Sequence, residues 1–501
     1  MPQLILAHDL GTTGNKACLF DPEGHLLASA FAGYGTEYLR PGWAEQDPDD
    51  WWDAVRVSTQ RLVRESGYKA TDIAVITFSG QMMGCLPVDA QGRPLRAAII
   101  WADQRAQAEA SHIGERVGRD RVYAVTGHRA ASNYVAPKIL WLRTHQPELF
   151  ARTRKVLQAK DYMAFRLTGL YATDYSDASG TGLFDLAERR WAEEILAALD
   201  LDPDLMPQAL PSSTVMGTVT REAAHLTGLS PGTPVVIGGG DGACATVGAG
   251  VVGPPDAYCY IGSSSWIAFV SRKPLYDPQQ RTFTFAHLDP EYLFPTGTMQ
   301  CAGGSFDWLE GILRGEADER MHRNLDALAS VVEPGAQGLL FLPYLMGERS
   351  PHWNPRARAA FVGLNMAHGR AEMARAVLEG VAFNLRIILD AFRAQGAPID
   401  ALRLIGGGAR SPLWRQILAD VFALPILLPR LLVEATSLGA AIAGGVGVGI
   451  YAGYEVVEEL IQVEQGEQPR SEVTSRYQEL YQIFQQTYAR LEPVYDRIAT
   501  L

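Results

Sequence analysis

Residues 7–20 read AHDLGTTGNKACLF. An apolar run that begins at Leu4 meets a charged Asp9, passes into Gly11-Thr12-Thr13-Gly14 and resumes as a second, mostly apolar run carrying Lys16. The pattern predicts strand, tight turn and strand, because glycine supplies the turn dihedrals and threonine short hydroxyl side chains. An ordinary hairpin needs neither the acid nor the base. The pattern returns at Cys259–Ser271, CYIGSSSWIAFVS, as an apolar run, a glycine with three serines and another apolar run. A similar hairpin at the head of each half is what a duplicated fold leaves in a sequence. It puts a boundary near Val252-Gly253-Pro254-Pro255, with domains expected over 1–252 and 253–501.

Between the hairpins the chain alternates helical and strand patterns. A helix is expected from about Asp49 to Glu65, then a strand Ile73–Phe78 ending in Ser79-Gly80-Gln81-Met82-Met83-Gly84. A further apolar stretch, Ala97–Trp101, ends in Ala102-Asp103-Gln104-Arg105, and reads as a second strand delivering polar groups at its C-terminal end, where open α/β sheets place ligands. Val235-Val236-Ile237 leads into GGGDGACATVGAG, in which Ala243–Val247 can begin a helix. LIGGGARSPLWRQILADVF, Leu404–Phe422, reads as strand, glycine turn and helix, and Tyr477, Leu480, Tyr481, Phe484, Tyr488 and Leu491 form a helical packing stripe.

Composition bounds the function. A chain of 501 residues is too long for one core, and 47% apolar content is that of a folded globular protein. The formal charge of −12 and the absence of a lysine or arginine run argue against nucleic acid as a partner. Five widely spaced cysteines without a C-x-x-C pair exclude a disulfide framework and fit a reducing cytoplasm. The N-terminus lacks a signal-length apolar core, and the small-residue run Gly439–Tyr451 is too short and glycine-rich to span a bilayer, so neither secretion nor a membrane is expected.

Three glycine-rich turns beside strands point to a phosphorylated nucleotide, since bare backbone N–H groups and small hydroxyls can surround phosphate oxygens. No G-x-x-x-x-G-K-[ST] occurs, and GGGDG lacks the G-x-G-x-x-G spacing, so neither a P-loop nor a Rossmann site is indicated. DLGTTGNKA, SGQMMG, WADQR, GGGDGA, GERSP, AAFVGLNMAHGRAEMARAVLEG and GGGARSPLWRQILAD, in this order between Asp9 and Asp420, resemble the FGGY carbohydrate kinases, closest to their xylulose kinase branch. The resemblance implies an α/β fold of two actin-like ATPase (ribonuclease H-like) domains, with sugar and MgATP in the cleft between them.

Residue by residue, the resemblance implies Asp9 as the carboxylate that holds Mg²⁺ through water, Thr12 and Thr13 as phosphate contacts beside Gly11, and Lys16 as a point charge for phosphate. A turn-capping Asp9 and a solvated Lys16 are the plainer readings. Asp241 is implied as the catalytic base, orienting a sugar hydroxyl in line with the γ-phosphate; a helix N-cap is the alternative, and the two are compatible. Gly262, Ser263, Ser264 and Gly303 are implied on the nucleotide side, and Gly407, Gly408, Ala409 and Ser411 as the adenine-side loop, where simple turns would also explain the glycines. For the sugar, polyol recognition needs several hydrogen-bonding groups, and Gln81, Trp101, Asp103 and Arg105 are available, with Asp241 itself. Met82 and Met83 face the substrate by family position. Here the chain departs from the usual Gln-Met-His-Gly and Asp-Asn, having Met83 and Gly242 instead, which puts the identity of the sugar in question more than the chemistry.

The expected activity is ATP-dependent phosphorylation of a terminal hydroxyl of a ketopentose, D-xylulose first. Ribulose, another ketose or a tetritol remain open, as does a non-enzymatic actin-like ATPase. Oligomeric state is not fixed by the sequence, a homodimer being one expectation.

Overall fold

The computed structural model describes residues 3–313, 321–430 and 434–499. The opening stretch forms β1 (Leu4–Leu10) and β2 (Gly14–Phe20), followed by β3 (Leu26–Gly33), the helix α1 (Pro48–Glu65) and β4 (Ile73–Gly80). After β5 (Val215–Thr218), β6 (Pro234–Val236) and the two-residue β7 (Gly239–Gly240) comes α2 (Asp241–Gly248). These strands make one sheet in the order β5-β6-β4-β1-β2-β3, with β7 beside β4.

The second half repeats the plan with β8 (Ala257–Ile261), β9 (Ser265–Phe269), β10 (Phe283–Ala286), β11 (Leu293–Met299), α3 (Arg370–Arg393), β12 (Leu402–Ile405), α4 (Pro412–Phe422), β13 (Ile426–Pro429), α5 (Ala435–Gly447), β14 (Val463–Gln465) and α6 (Ser471–Ile498). Its sheet runs β10-β11-β9-β8-β12-β13-β14. Strand for strand, β3-β2-β1-β4-β6 corresponds to β11-β9-β8-β12-β13. In both, the first hairpin and its third strand are antiparallel, and the next two strands add in parallel on the other side. This is the ribonuclease H-like plan, present twice. The hairpin repeat seen in the sequence is therefore a repeat of whole sheets.

The two halves are joined by α2 and α5, which occupy equivalent positions after β7 and β13. A Cβ on Gly248 of α2 would stand 1.7 Å from the Ala435 carbonyl oxygen, and one on Gly439 of α5 would stand 1.9 Å from that of Cys244. The helices thus touch backbone to backbone, each through a glycine of its own. Gly444 and Gly447 of α5 in turn approach Thr77 and Val236 of the first sheet, so a helix from the second half of the chain packs on the sheet of the first. That contact accounts for the glycine-rich run at Gly439–Tyr451. No described helix is long and apolar enough to cross a membrane.

The terminal stripe is borne out: in α6, Tyr477, Tyr481, Phe484 and Tyr488 are buried, with Leu480 and Leu491 packed against the same core. Ala97–Trp101 is a correction. Only Ala98–Ile99 is strand, paired antiparallel with Glu45–Gln46 outside the large sheet. A five-residue apolar run is too short to say which partner it will pair with.

Candidate active site

The turn between β1 and β2 is braced from behind. Gly11 N donates to Gly14 O at 3.0 Å, the Tyr34 hydroxyl to Gly11 O at 2.5 Å, and Gln46 Nε2 to Thr12 O at 2.7 Å. Thr13 is exposed, and Thr12 Oγ1 accepts from Trp101 Nε1 at 3.0 Å, which leaves both hydroxyl protons available. Asp9 faces Lys16 across the hairpin and Ser79 on the parallel neighbour β4. Burial pushes its carboxyl above the usual range, against the pull of Lys16. Lys16 Nζ itself lies 3.9 Å from Glu434 at the entry to α5.

Asp241 follows directly from β7. Since Gly80 at the end of β4 pairs with Leu10 on one side and Gly240 on the other, Asp9 and Asp241 flank the tip of β4, about two strand spacings or ~10 Å apart. The capping position of α2 falls to Gly240, and Asp241 Oδ1 accepts from Gly242 N at 2.7 Å. Asp241 is half-buried, and burial together with the charge of Asp9 pushes its pKa up to about 7, with Arg349 opposing. A carboxylate in this setting is far more basic than one in water. The turn that presents it is held by Ser176, whose Oγ accepts from Gly240 N at 2.9 Å and donates to Asp174 at 2.6 Å. Asp174 belongs to a fully buried cluster in which Lys160 Nζ meets Asp161, Asp174 and Asp177 at 2.8, 2.9 and 3.1 Å.

In the second half, Gly262-Ser263-Ser264 forms the corresponding turn, and Gly303 docks on it: Gly303 N donates to Gly262 O at 2.8 Å, and a Cβ on Gly303 would stand 2.5 Å from that oxygen. Gly407 and Gly408 lie beside this turn at the exit of β12, Gly407 exposed with open space over it. Ala409 is buried, its carbonyl held by Arg415 at 3.0 Å. Ser411 is spent on capping α4 and on Asp326, at 3.1 and 2.7 Å. Tyr260, at the end of β8, stacks on Trp266 with centroids 4.0 Å apart and senses both Asp9 and Asp241. The strand that leads into the second turn thus lies within electrostatic reach of both acids.

Between the halves lies a cleft of about 330 Å³ with Trp101, Asn133 and Arg129 on one wall and Gln300, Arg349 and Trp353 on the other. Gln81 is buried and donates to Gln46 Oε1 at 2.7 Å, while its own Oε1 has no hydrogen-bond partner among the described residues. Met82 packs against Gly240, and Met83, at φ 65°, receives Asn133 Nδ2 on its sulfur at 3.5 Å. Asp103 and Arg105 turn to one another at 2.7 Å with side chains 0% and 1% exposed; Arg105 also reaches Glu45 and lies over Trp43 at 3.7 Å. They shape the Trp101 loop from beneath it. Sequence reasoning overlooked Gln46, Tyr260, Arg349 and Lys138. The buried Lys138 Nζ donates to Met83 O, Ile100 O and Asn133 O, each at 2.8 Å, tying three cleft loops to one ammonium. Burial pushes it down to about 7, with Arg105 adding to the effect and Asp103 opposing it, but three carbonyl acceptors need three N–H donors, which only the charged form has.

Residues 4–248 match the FGGY family of carbohydrate kinases, N-terminal domain, and residues 257–448 its C-terminal domain. The chain belongs to the FGGY family of carbohydrate kinases. It is 38% identical over 423 residues to the xylulose kinase of Escherichia coli K12, covering 83% of this chain and 84% of that one. Against the xylulose kinase of Bacillus subtilis 168 it is 32% identical over 486 residues, covering 97% and 96%. Two solved structures from Lactobacillus acidophilus, a gluconate kinase and a ligand-bound xylulose kinase, each superpose with a TM-score of 0.92 at 28% identity over 99% of this chain and 100% of theirs. The protein is thus a phosphotransferase of the carbohydrate kinase class, built from two actin-like ATPase domains and acting on a small-molecule sugar and a nucleotide.

Proposed function

We propose that this kinase transfers the γ-phosphoryl group of ATP to a terminal hydroxyl of a ketopentose, with D-xylulose the first substrate, making the 5-phosphate. The observation that carries the reading is the pair Asp9 and Asp241 flanking the tip of β4, with the two phosphate-type turns around them. Asp241, raised to about 7, accepts the proton of the sugar hydroxyl as its oxygen bonds to phosphorus, while the bond to the β-phosphate oxygen breaks and its electron pair leaves with ADP. The turns at Gly11–Thr13 and Gly262–Ser264 offer backbone N–H groups and hydroxyls to the phosphates, with Gly303 allowing the second turn to sit close, and Gly407-Gly408 leaving room for the base. Among the described residues no cluster of three or more His, Cys, Asp or Glu could hold a metal alone. A magnesium ion carried in by the triphosphate fits this donor set, since Mg²⁺ keeps most of its water and takes one or two carboxylates; Asp9 is the one placed for it. Bound there, it would neutralise charge developing on the phosphoryl oxygens. The five cysteines are all free and buried, which supports work in the reducing cytoplasm where ATP is made.

The test is ADP release with D-xylulose, D-ribulose, L-ribulose and erythritol, with the product identified by phosphorus NMR. D-xylulose should give the highest kcat/KM and a primary phosphate ester. ADP release that is the same with and without every acceptor would overturn the reading.

A further inference from the structure

The turn that carries Asp241 is built almost without side chains. Gly238, at φ 70°, lies so close to β4 that a Cβ would stand 1.9 Å from the Phe78 carbonyl oxygen; Cβ atoms on Gly239 and Gly240 would stand 2.3 Å from Leu288 and 2.6 Å from Met82. Glycine permits this approach but does little to hold the backbone in it. The restraint comes from elsewhere in the chain, and both ends of the turn lead back to one carboxylate. Gly240 N donates to Ser176 Oγ at 2.9 Å, and Ser176 Oγ donates to Asp174 Oδ2 at 2.6 Å. Gly238 N donates to Ser212 O at 3.0 Å, and Ser212 Oγ donates to the same Asp174 Oδ2 at 2.8 Å. Asp174, Ser176 and Ser212 are all buried, none more than 1% exposed.

Asp174 is itself held in place. Its Oδ2 also accepts from Ser176 N at 2.8 Å, and its Oδ1 accepts from Asp177 N at 3.3 Å and from the Lys160 ammonium at 2.9 Å. A carboxylate ringed by donors takes the Ser176 proton, which leaves a lone pair of that hydroxyl for Gly240 N. Gly240 caps α2 and has no side chain to bond the first turn. Its N–H is the donor that a capping box satisfies from within the helix; here Ser176 satisfies it from 64 residues back in the chain. The stem of Lys160 lies behind the tip of β4 as well, since a Cβ on Gly80, the residue that pairs with Gly240, would stand 3.0 Å from Lys160 Cβ. We propose that Asp174 is a positioning residue for Asp241, clamping both ends of its glycine turn through Ser176 and Ser212 so that the carboxylate stays aimed at the acceptor hydroxyl. This rests on the kinase reading above and adds no new contact to either substrate.

The experiment is steady-state kinetics of the full chain, with ATP and the best acceptor of the panel above, for Ser176→Ala, Ser212→Ala, Asp241→Asn and the double variants of each serine with Asp241→Asn, each checked by a melting curve. Ser176→Ala should lower kcat by about 30-fold and leave both KM values within about twofold of wild type, because a misplacement near ~1 Å costs on the order of 10²-fold in rate. Ser212→Ala should lower kcat by about fivefold with the same split, because the carbonyl that holds Gly238 N stays in place. In the Asp241→Asn background Ser176→Ala should cost less than about threefold, since a residue that acts through Asp241 has nothing left to position. A serine that only supports the fold would cost the same in both backgrounds. Equal losses in the two backgrounds, kcat of Ser176→Ala within about threefold of wild type, or raised KM values at unchanged kcat would overturn the inference and leave the kinase reading intact. If Ser176→Ala does not fold, Ser212→Ala with and without Asp241→Asn decides by the same comparison. Absence of acceptor-dependent ADP release from the wild type with every compound of the panel would overturn both.

Discussion

The two hairpins that open the halves have the same backbone plan and opposite chemistry. In the first, the second cross-strand pair from the turn is Asp9 and Lys16; in the second hairpin it is Tyr260 and Trp266, stacked at 4.0 Å. The exits of the parallel neighbours differ likewise, Gln81 and Met82 after β4 against bare Gly406-Gly407-Gly408 after β12. A duplicated sheet has thus kept its charged and acceptor-facing groups in one copy and given the other a flat aromatic wall and open backbone. On the proposed mechanism both copies present a turn to phosphate, which fits the shared backbone geometry. Only the first copy handles the metal and the proton on that mechanism, which fits the divergence of the side chains.

This division can be broken at its charged end first. Asp9→Asn should lower kcat by about 100-fold or more while thermal melting stays near wild type, since the change removes a charge and little volume; steady-state kinetics and a melting curve decide it. The helix pair that couples the copies comes next. Gly439→Val forces a side chain into the Cys244 carbonyl and should cost on the order of 3 kcal/mol in denaturant unfolding, whereas Gly407→Ala, in open space, should cost far less. Lys138→Met strands three buried carbonyls under the acceptor cleft. It should raise KM for the sugar about tenfold with KM for ATP little changed. Smallest is Tyr260→Phe, which keeps the stack on Trp266 and should alter kcat by less than about threefold; a larger loss would show that the second copy takes part in the chemistry as well.

Much of the plan was legible in the sequence, for identifiable reasons. DLGTTG and YIGSSS each interrupt an apolar run with residues that only a turn wants, so both hairpins and their equivalence could be read. The Asp241 turn was legible as a glycine run entering a helix, but its raised basicity was not, because that comes from burial and from Asp9 across the strand tip. Asp103 and Arg105 looked like two sugar contacts because spacing puts them on one loop. Their partners, Glu45 and Trp43, lie far back in the chain, and only the fold shows that the pair is closed on itself. Lys138 was invisible for a similar reason, being a lysine inside an apolar helix whose three acceptors come from three separate loops. The short Ala98–Ile99 strand misled because two apolar residues pair equally well with a loop edge or a sheet.

The central claim is that Asp241 takes the proton from the acceptor hydroxyl. The most direct measurement is kcat at saturating ATP and sugar for the wild type and Asp241→Asn across a pH range centred on about 7. The account predicts that wild-type kcat falls about tenfold per unit on the acid side, as the carboxylate is protonated, and levels off on the alkaline side, while Asp241→Asn binds both substrates but loses about 10³-fold in kcat together with that slope. A variant within tenfold of wild type, or one that keeps the same acid limb, would contradict it.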